Sequence, residues 1–145
     1  MFPYQKSARV LTALYLAGIL FSGLFPESCN VTNTKVFFDS SSVWPGDFLL
    51  NMIVYIPLAC LLMLSFAIRK PETLQFRLKL ALLVVGLAAA ISFFIESLQY
   101  LFIIGRMSSL FDFMANILGA ILGVIMCSVA YQVKRQRAKG KGQRA

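Results

Sequence analysis

Residues 80–104 read LALLVVGLAAAISFFIESLQYLFII, a run broken by one acidic side chain, Glu96, and by no basic one. As a helix this run extends about 37 Å, which exceeds the roughly 30 Å hydrocarbon core of a bilayer and leaves room for tilt. The run is therefore expected to span a membrane. A carboxylate placed inside it is costly there and asks for a reason.

Three further apolar blocks lie at 10–25, 48–68 and 110–133. The last two extend about 31 and 36 Å as helices, and the first only about 24 Å. That first block needs Arg9 snorkelling to the interface, or local thinning of the bilayer, to cross. Preceded by Lys6 and Arg9, it also has the form of a secretory signal peptide. However, Ser22 and Gly23 sit among Leu20, Phe21 and Leu24, which offer no small-x-small cleavage site, so a retained helix is expected. Its removal would leave the orientation of the other three unchanged.

Only 14% of the residues are charged, against about 25% in soluble domains, so there is too little polar surface to coat a soluble particle. The expected fold is all-α: one polytopic membrane domain over 1–133, a bundle of four transmembrane helices, followed by a basic tail at 134–145.

The net charge of +8 is distributed by side rather than in a nucleic-acid patch. Lys6 and Arg9 precede the first block. Arg69, Lys70, Arg77 and Lys79 lie between the second and third, and Lys134, Arg135, Arg137, Lys139, Lys141 and Arg144 follow the fourth. Alternation of sides leaves only Lys35 and Arg106 opposite them. Positive residues stay inside, so both termini are expected in the cytoplasm. The tail reads as a topology signal that also rests on anionic lipid, with no nucleic-acid partner.

The segment 26–47 is the one long connection. Polar at first with Glu27, Asn30, Thr32 and Asn33, it turns aromatic with Phe37, Phe38 and Trp44, and is expected to lie at the interface over the bundle mouth, as a lid would. Asn30-Val31-Thr32 matches a glycosylation sequon that has meaning only in a lumenal loop of a eukaryotic protein. The turn 105–109 is so short that the third and fourth helices must be antiparallel neighbours.

Polar residues within the blocks fall on helical stripes. Ser92, Glu96, Gln99 and Arg106 share one face of the third helix; Asp112, Asn116, Gly119 and Gly123 share one face of the fourth. Asp47, Asn51 and Tyr55 repeat every four residues in the second. With the expected orientation, all of these lie in the outer half of the membrane, which argues for one shared site.

Each has a plainer reading. Asn51, Gln99 and Asn116 serve as interhelical hydrogen-bond glue in many bundles, and Asp47 and Asp112 suit helix first turns. Gly119 and Gly123 form a Gly-x-x-x-Gly spacing whose main role is close helix packing. Arg106 marks a turn. Glu96 is harder to explain so, because at that depth it needs a proton, solvent access or a cation such as Arg106.

Absences narrow the chemistry. The chain has no histidine, which removes His-Glu-x-x-His zinc sites and Ser-His-Asp triads, and it has neither a Gly-x-Ser-x-Gly elbow nor a P-loop. Cys29, Cys60 and Cys127 have neither metal-ligand nor disulfide spacing. No metal, cofactor or catalytic residue is assigned. A hydrolase built from Glu96 and Asp112 lacks a nucleophile.

Together, Ile95-Glu96-Ser97-Leu98-Gln99, then Arg106, then Asp112-Phe113-Met114-Ala115-Asn116-Ile117-Leu118-Gly119 and Gly123 resemble the VanZ-like membrane protein family, whose pattern is Ile-Glu-x-x-Gln, Arg, Asp-x-x-x-Asn-x-x-Gly-x-x-x-Gly. Pro45-Gly46-Asp47 with Asn51 and Tyr55-Ile56-Pro57 resembles the family's second-helix motif, and Pro26-Glu27 is a weaker match. The resemblance implies a multi-pass protein of the bacterial cytoplasmic membrane. The family's named member is associated with resistance to teicoplanin, a lipoglycopeptide, and most members have no settled activity.

The expectation is a cell-envelope protein that binds an amphiphile at the outer leaflet through Asp47, Asn51, Glu96, Gln99, Arg106, Asp112 and Asn116. Membrane lipid, a lipid-linked cell-wall precursor or a lipoglycopeptide antibiotic are the candidate partners, and a homo-oligomer is compatible with so few helices. The rivals are a proton-coupled transporter or lipid flippase, and a membrane enzyme acting on lipid-linked phosphate or glycan. Transport is disfavoured because 80–91 carries no ionisable group below Glu96.

Overall fold

The computed structural model describes residues 3–24, 45–66, 73–102 and 110–142, which form four α-helices. These are α1 (Pro3–Leu24), α2 (Pro45–Phe66), α3 (Leu74–Phe102) and α4 (Leu110–Gly142). The all-α expectation holds for the described residues. The interfacial loop at 26–44, the sequon and Arg106 lie outside them.

Helix ends follow local chemistry rather than hydropathy. Both α1 and α2 open on proline, which is preorganised for the first helical position and has no N–H to leave unsatisfied. Thr73 caps α3: the Phe76 amide donates to Thr73 Oγ1 at 3.3 Å and the Arg77 amide to the Thr73 carbonyl at 3.3 Å. That cap starts α3 at Leu74, ahead of the apolar boundary at 80, because Arg77 and Lys79 are good helix formers whatever their affinity for lipid. For the same reason the basic tail is helical as far as Gly142.

Gly46–Phe66, Leu74–Leu101 and Leu110–Lys134 are long and apolar enough to cross a membrane. The first helix is not among them, since Gln5, Lys6, Ser7 and Arg9 occupy its opening turns. Large apolar side chains stand outward on every helix, including Leu14 and Phe21 on α1, Leu50 and Ile53 on α2, Leu82 and Phe94 on α3, and Ile125 and Met126 on α4. So continuous an apolar exterior is untenable in water and suits a lipid solvent.

Side-chain contacts fix the directions of the helices. Gly119 and Gly123 lie against Met52 and Ile56, so α2 and α4 run parallel in their most extensive interface. Ser92 meets Asn116, Phe93 meets Phe113 and Arg77 meets Tyr131, so α3 and α4 are antiparallel. Thr12 Oγ1 and Ser65 Oγ are 2.9 Å apart, and Tyr15 Oη donates to the Val54 carbonyl at 2.9 Å, so α1 runs against α2. One end of the bundle thus collects the start of α1 and α3 and the end of α4. Lys6, Arg9, Lys79, Lys134 and Arg137 stand exposed there.

The glycines make the α2–α4 approach possible. A Cβ on Gly119 would collide with the Met52 carbonyl group, whose carbon would be 2.9 Å away; one on Gly123 would meet the Ile56 carbonyl oxygen, and Ala59 Cβ at 2.9 Å. Cys60 Sγ donates to the Gly123 carbonyl at 3.3 Å in the same seam. Beneath it, Leu58, Val84, Ala88 and Ala120 form the sealed middle of the bundle.

Candidate functional site

At the end opposite the exposed basic residues, α2, α3 and α4 turn polar side chains inward. Ser92, Glu96, Gln99 and Asn116 are all buried, Ser92 completely and the others to within 6% exposure. Glu96 and Asn116 each lie six residues inside their helix ends, or about 9 Å down. Ser92, one turn deeper than Glu96, and Gln99, nearer the helix end, continue the same buried polar face of α3.

Asn116 Nδ2 donates to Ser92 Oγ at 2.9 Å, which fixes the amide against α3. Tyr55 comes from α2, lower in the bundle, and helical side chains lean toward the N-terminus. Its ring therefore rises toward the cluster, where its hydroxyl interacts with Ser92 and Glu96. The antiparallel register that opposes Ser92 and Asn116 sets Asp112, one turn earlier on α4, level with Glu96, one turn later on α3.

Gln99 performs a second task. Its Nε2 donates to the Gly23 carbonyl at 2.9 Å. Gly23 is the penultimate residue of α1, so this carbonyl is one of the four that a helix end leaves without an internal donor. A Cβ on Gly23 would stand 3.1 Å from Ile95 Cγ2 and 3.4 Å from Gln99 Nε2. Gln99 thereby joins α1 to the polar face of α3.

Among the residues expected to bind ligand, Glu96 and Asn116 are brought together through Tyr55 and Ser92, whereas Gln99, buried on the same face of α3, is turned to Gly23 of α1. Asp112 and Asn51 are half-buried at the rim of that group. Asp47 in the first turn of α2 is exposed and does not join them. Arg106 falls outside the described residues. Tyr55 was legible in the sequence as the third member of the α2 stripe, but an aromatic in an apolar block gives no sign of burial beside a carboxylate.

Among the described residues no group of metal-ligating His, Cys, Asp or Glu occurs. The cluster instead offers hydroxyls, amides and a carboxylate, which bind, orient and hold protons. No curated protein and no solved structure matches the chain. The VanZ/LLP1 family model matches residues 4–131, a span that takes in α2 and α3 whole, α1 but for Pro3, α4 as far as Tyr131 and every residue of the cluster. The chain belongs to the VanZ/LLP1 family and is a VanZ-like membrane protein.

Proposed function

We propose that the protein is an envelope protein of the bacterial cytoplasmic membrane that binds an amphiphile through the polar end of its bundle, which faces the cell exterior. One observation carries this reading: Tyr55, Ser92, Glu96, Gln99 and Asn116, drawn from three helices, are all buried within about 15 Å of one end of the bundle. Buried polar groups at membrane depth mark ligand or ion pathways by default.

All four helices cross the bilayer in this reading, with both termini cytoplasmic. Support comes from the basic residues, which collect at the end away from the cluster as the positive-inside rule requires. The shorter apolar part of α1 is carried by its attachments to α2 and α3. The partner is a membrane lipid, a lipid-linked cell-wall precursor or a lipoglycopeptide. Each has an acyl tail for the outward apolar faces of the helices and a polar head for the cluster. Arg106 is assigned to an anionic part of that head, the amides to its orientation, and a link to glycopeptide resistance follows from the family.

The test is thermal stability of the purified protein with added amphiphiles. A binding-competent lipid should raise the midpoint of the wild type, since a ligand at 100 times its Kd stabilises by about 2.7 kcal/mol. The rise should shrink in Arg106→Ala and Asn116→Ala, with no turnover of the lipid. Equal rises in all three proteins would end the proposal.

A further inference from the structure

The seam between α2 and α4 keeps one register. Gly119 lies against Met52 and Gly123 against Ile56, and the same interval carried one turn further sets Cys127 against Cys60. The two helices part only slowly along it: a Cβ on Gly119 would stand 2.9 Å from the Met52 carbonyl carbon, and one on Gly123 would stand 3.2 Å from that of Ile56. The glycine seam therefore leads into a pair of thiols, both free and both half-buried.

Side-chain direction brings the two sulfurs toward one another. Cys60 Sγ donates to the Gly123 carbonyl at 3.3 Å, so it is aimed at the α4 backbone one turn before Cys127. Helical side chains lean toward the N-terminus, which turns the Cys127 side chain back over that same turn. The two thiols interact electrostatically across the seam. A disulfide needs facing Cα atoms about 4.4–6.8 Å apart. Helix pairs packed at about 8–10 Å between axes seldom offer that separation, and a glycine seam draws them closer.

The surroundings of the pair select its oxidant. Cys60 lies six residues before the end of α2 and Cys127 seven before Lys134, or about 10 Å inside the apolar spans. Beside Cys127, Ile125 and Met126 stand on the outer surface of the bundle. Polar thiol reductants such as glutathione stay in water, whereas a lipid hydroperoxide arises on the acyl chains themselves.

We infer that Cys60 and Cys127 form a redox-active dithiol that a lipid hydroperoxide converts to a disulfide across the α2–α4 seam. One sulfur attacks the terminal peroxide oxygen and the O–O bond breaks. The lipid alcohol leaves with that thiol's proton, and the sulfur becomes a sulfenic acid. The second thiol then displaces the hydroxyl as water while the S–S bond forms. Two electrons pass from the sulfurs to the hydroperoxide, which ends as an alcohol. The new bond fixes α2 against α4, the helices that supply Tyr55 and Asn116 to the polar cluster, and it restrains the unfolded chain by closing a long loop through α3. This chemistry requires no bound amphiphile.

The experiment treats the full-length protein in its own membrane with cumene hydroperoxide, blocks remaining thiols with N-ethylmaleimide and digests with trypsin without reduction. Cleavage after Lys35, Arg69, Arg106 and Lys134 puts Cys29, Cys60 and Cys127 in three different peptides. Expected is a linked pair of peptides 36–69 and 107–134 from monomeric protein, in most chains, which dithiothreitol separates. The thermal midpoint should rise with the peroxide and fall back with the reductant. Cys60→Ser and Cys127→Ser should each lose the linked pair and accumulate sulfenic acid on the remaining thiol, read as a several-fold gain in dimedone labelling over the wild type. Separately blocked Cys60 and Cys127 peptides from peroxide-treated wild type would overturn the inference, as would a bond to Cys29 or one between two chains. Dimedone labelling that neither substitution raises would overturn it too. The wild-type peptide map decides the matter if a variant does not fold.

Discussion

Asn116 on α4 donates its amide to Ser92 on α3 across 2.9 Å, at a level where neither residue retains more than 6% of its surface. Because the two helices are antiparallel, this one bond sets the height of every polar residue on the facing stripes. Glu96 and Asp112 stand one turn further toward the same end.

Removing that bond should therefore cost more than one side chain's interaction. Ser92→Ala is expected to lower stability by about 1–2 kcal/mol, toward the upper range for interhelical bonds in membranes, because it strands the Asn116 amide. Unfolding of the wild type and variant in mixed detergent measures this. The double variant Ser92→Ala with Asn116→Leu should lose less than the two single losses added together.

The glycine seam gives a sharper contrast. Gly119→Ala drives a methyl into the Met52 carbonyl group and should destabilise by about 1–3 kcal/mol, as overpacking does. Gly86→Ala, in open space on α3, should be neutral or stabilise by about 0.5–1 kcal/mol through helix propensity. Parallel detergent unfolding of the two variants checks the difference in sign.

Attachment of α1 is also open to measurement. Gln99→Leu removes the donor to the Gly23 carbonyl, and Tyr15→Phe removes the donor to Val54, next to the Ile53 carbonyl that Pro57 leaves without its helical partner. Each should cost about 0.6–2 kcal/mol. The combination is expected to raise protease cleavage between α1 and α2 in detergent before the other helices unfold.

Sidedness is tested at Asp47. A cysteine introduced there in a cysteine-free background should react with a membrane-impermeant maleimide added outside intact cells, while one at Arg137 should react only after lysis. Labelling of both from the same side would refute the proposed crossing of the bilayer.

Much of this was legible in the residues, for identifiable physical reasons. Hydropathy located α2, α3 and α4, because lipid imposes a long unbroken apolar run that few other environments demand. The stripe spacing of Ser92, Glu96 and Gln99 anticipated one inward face, since a polar side chain at membrane depth must turn toward protein. Hydropathy missed the helical tail through Gly142 and the start of α3 at Leu74, because it senses the solvent and not the backbone. Thr73, a good N-cap before an apolar run, carried the signal for the second. The Thr12–Ser65 contact left no trace in the sequence, as an isolated hydroxyl in an apolar block has no periodicity. Asp47 looked like a site residue on spacing alone, yet it sits two turns above Tyr55, where α2 emerges from the bundle.

The most direct test of the central claim is native mass spectrometry of the protein released from its own membrane. The account expects a lipid-mass adduct on the wild type and on Gly86→Ala, and its loss in Glu96→Gln and in Asn116→Ala. An adduct retained at equal occupancy in all four proteins would contradict it.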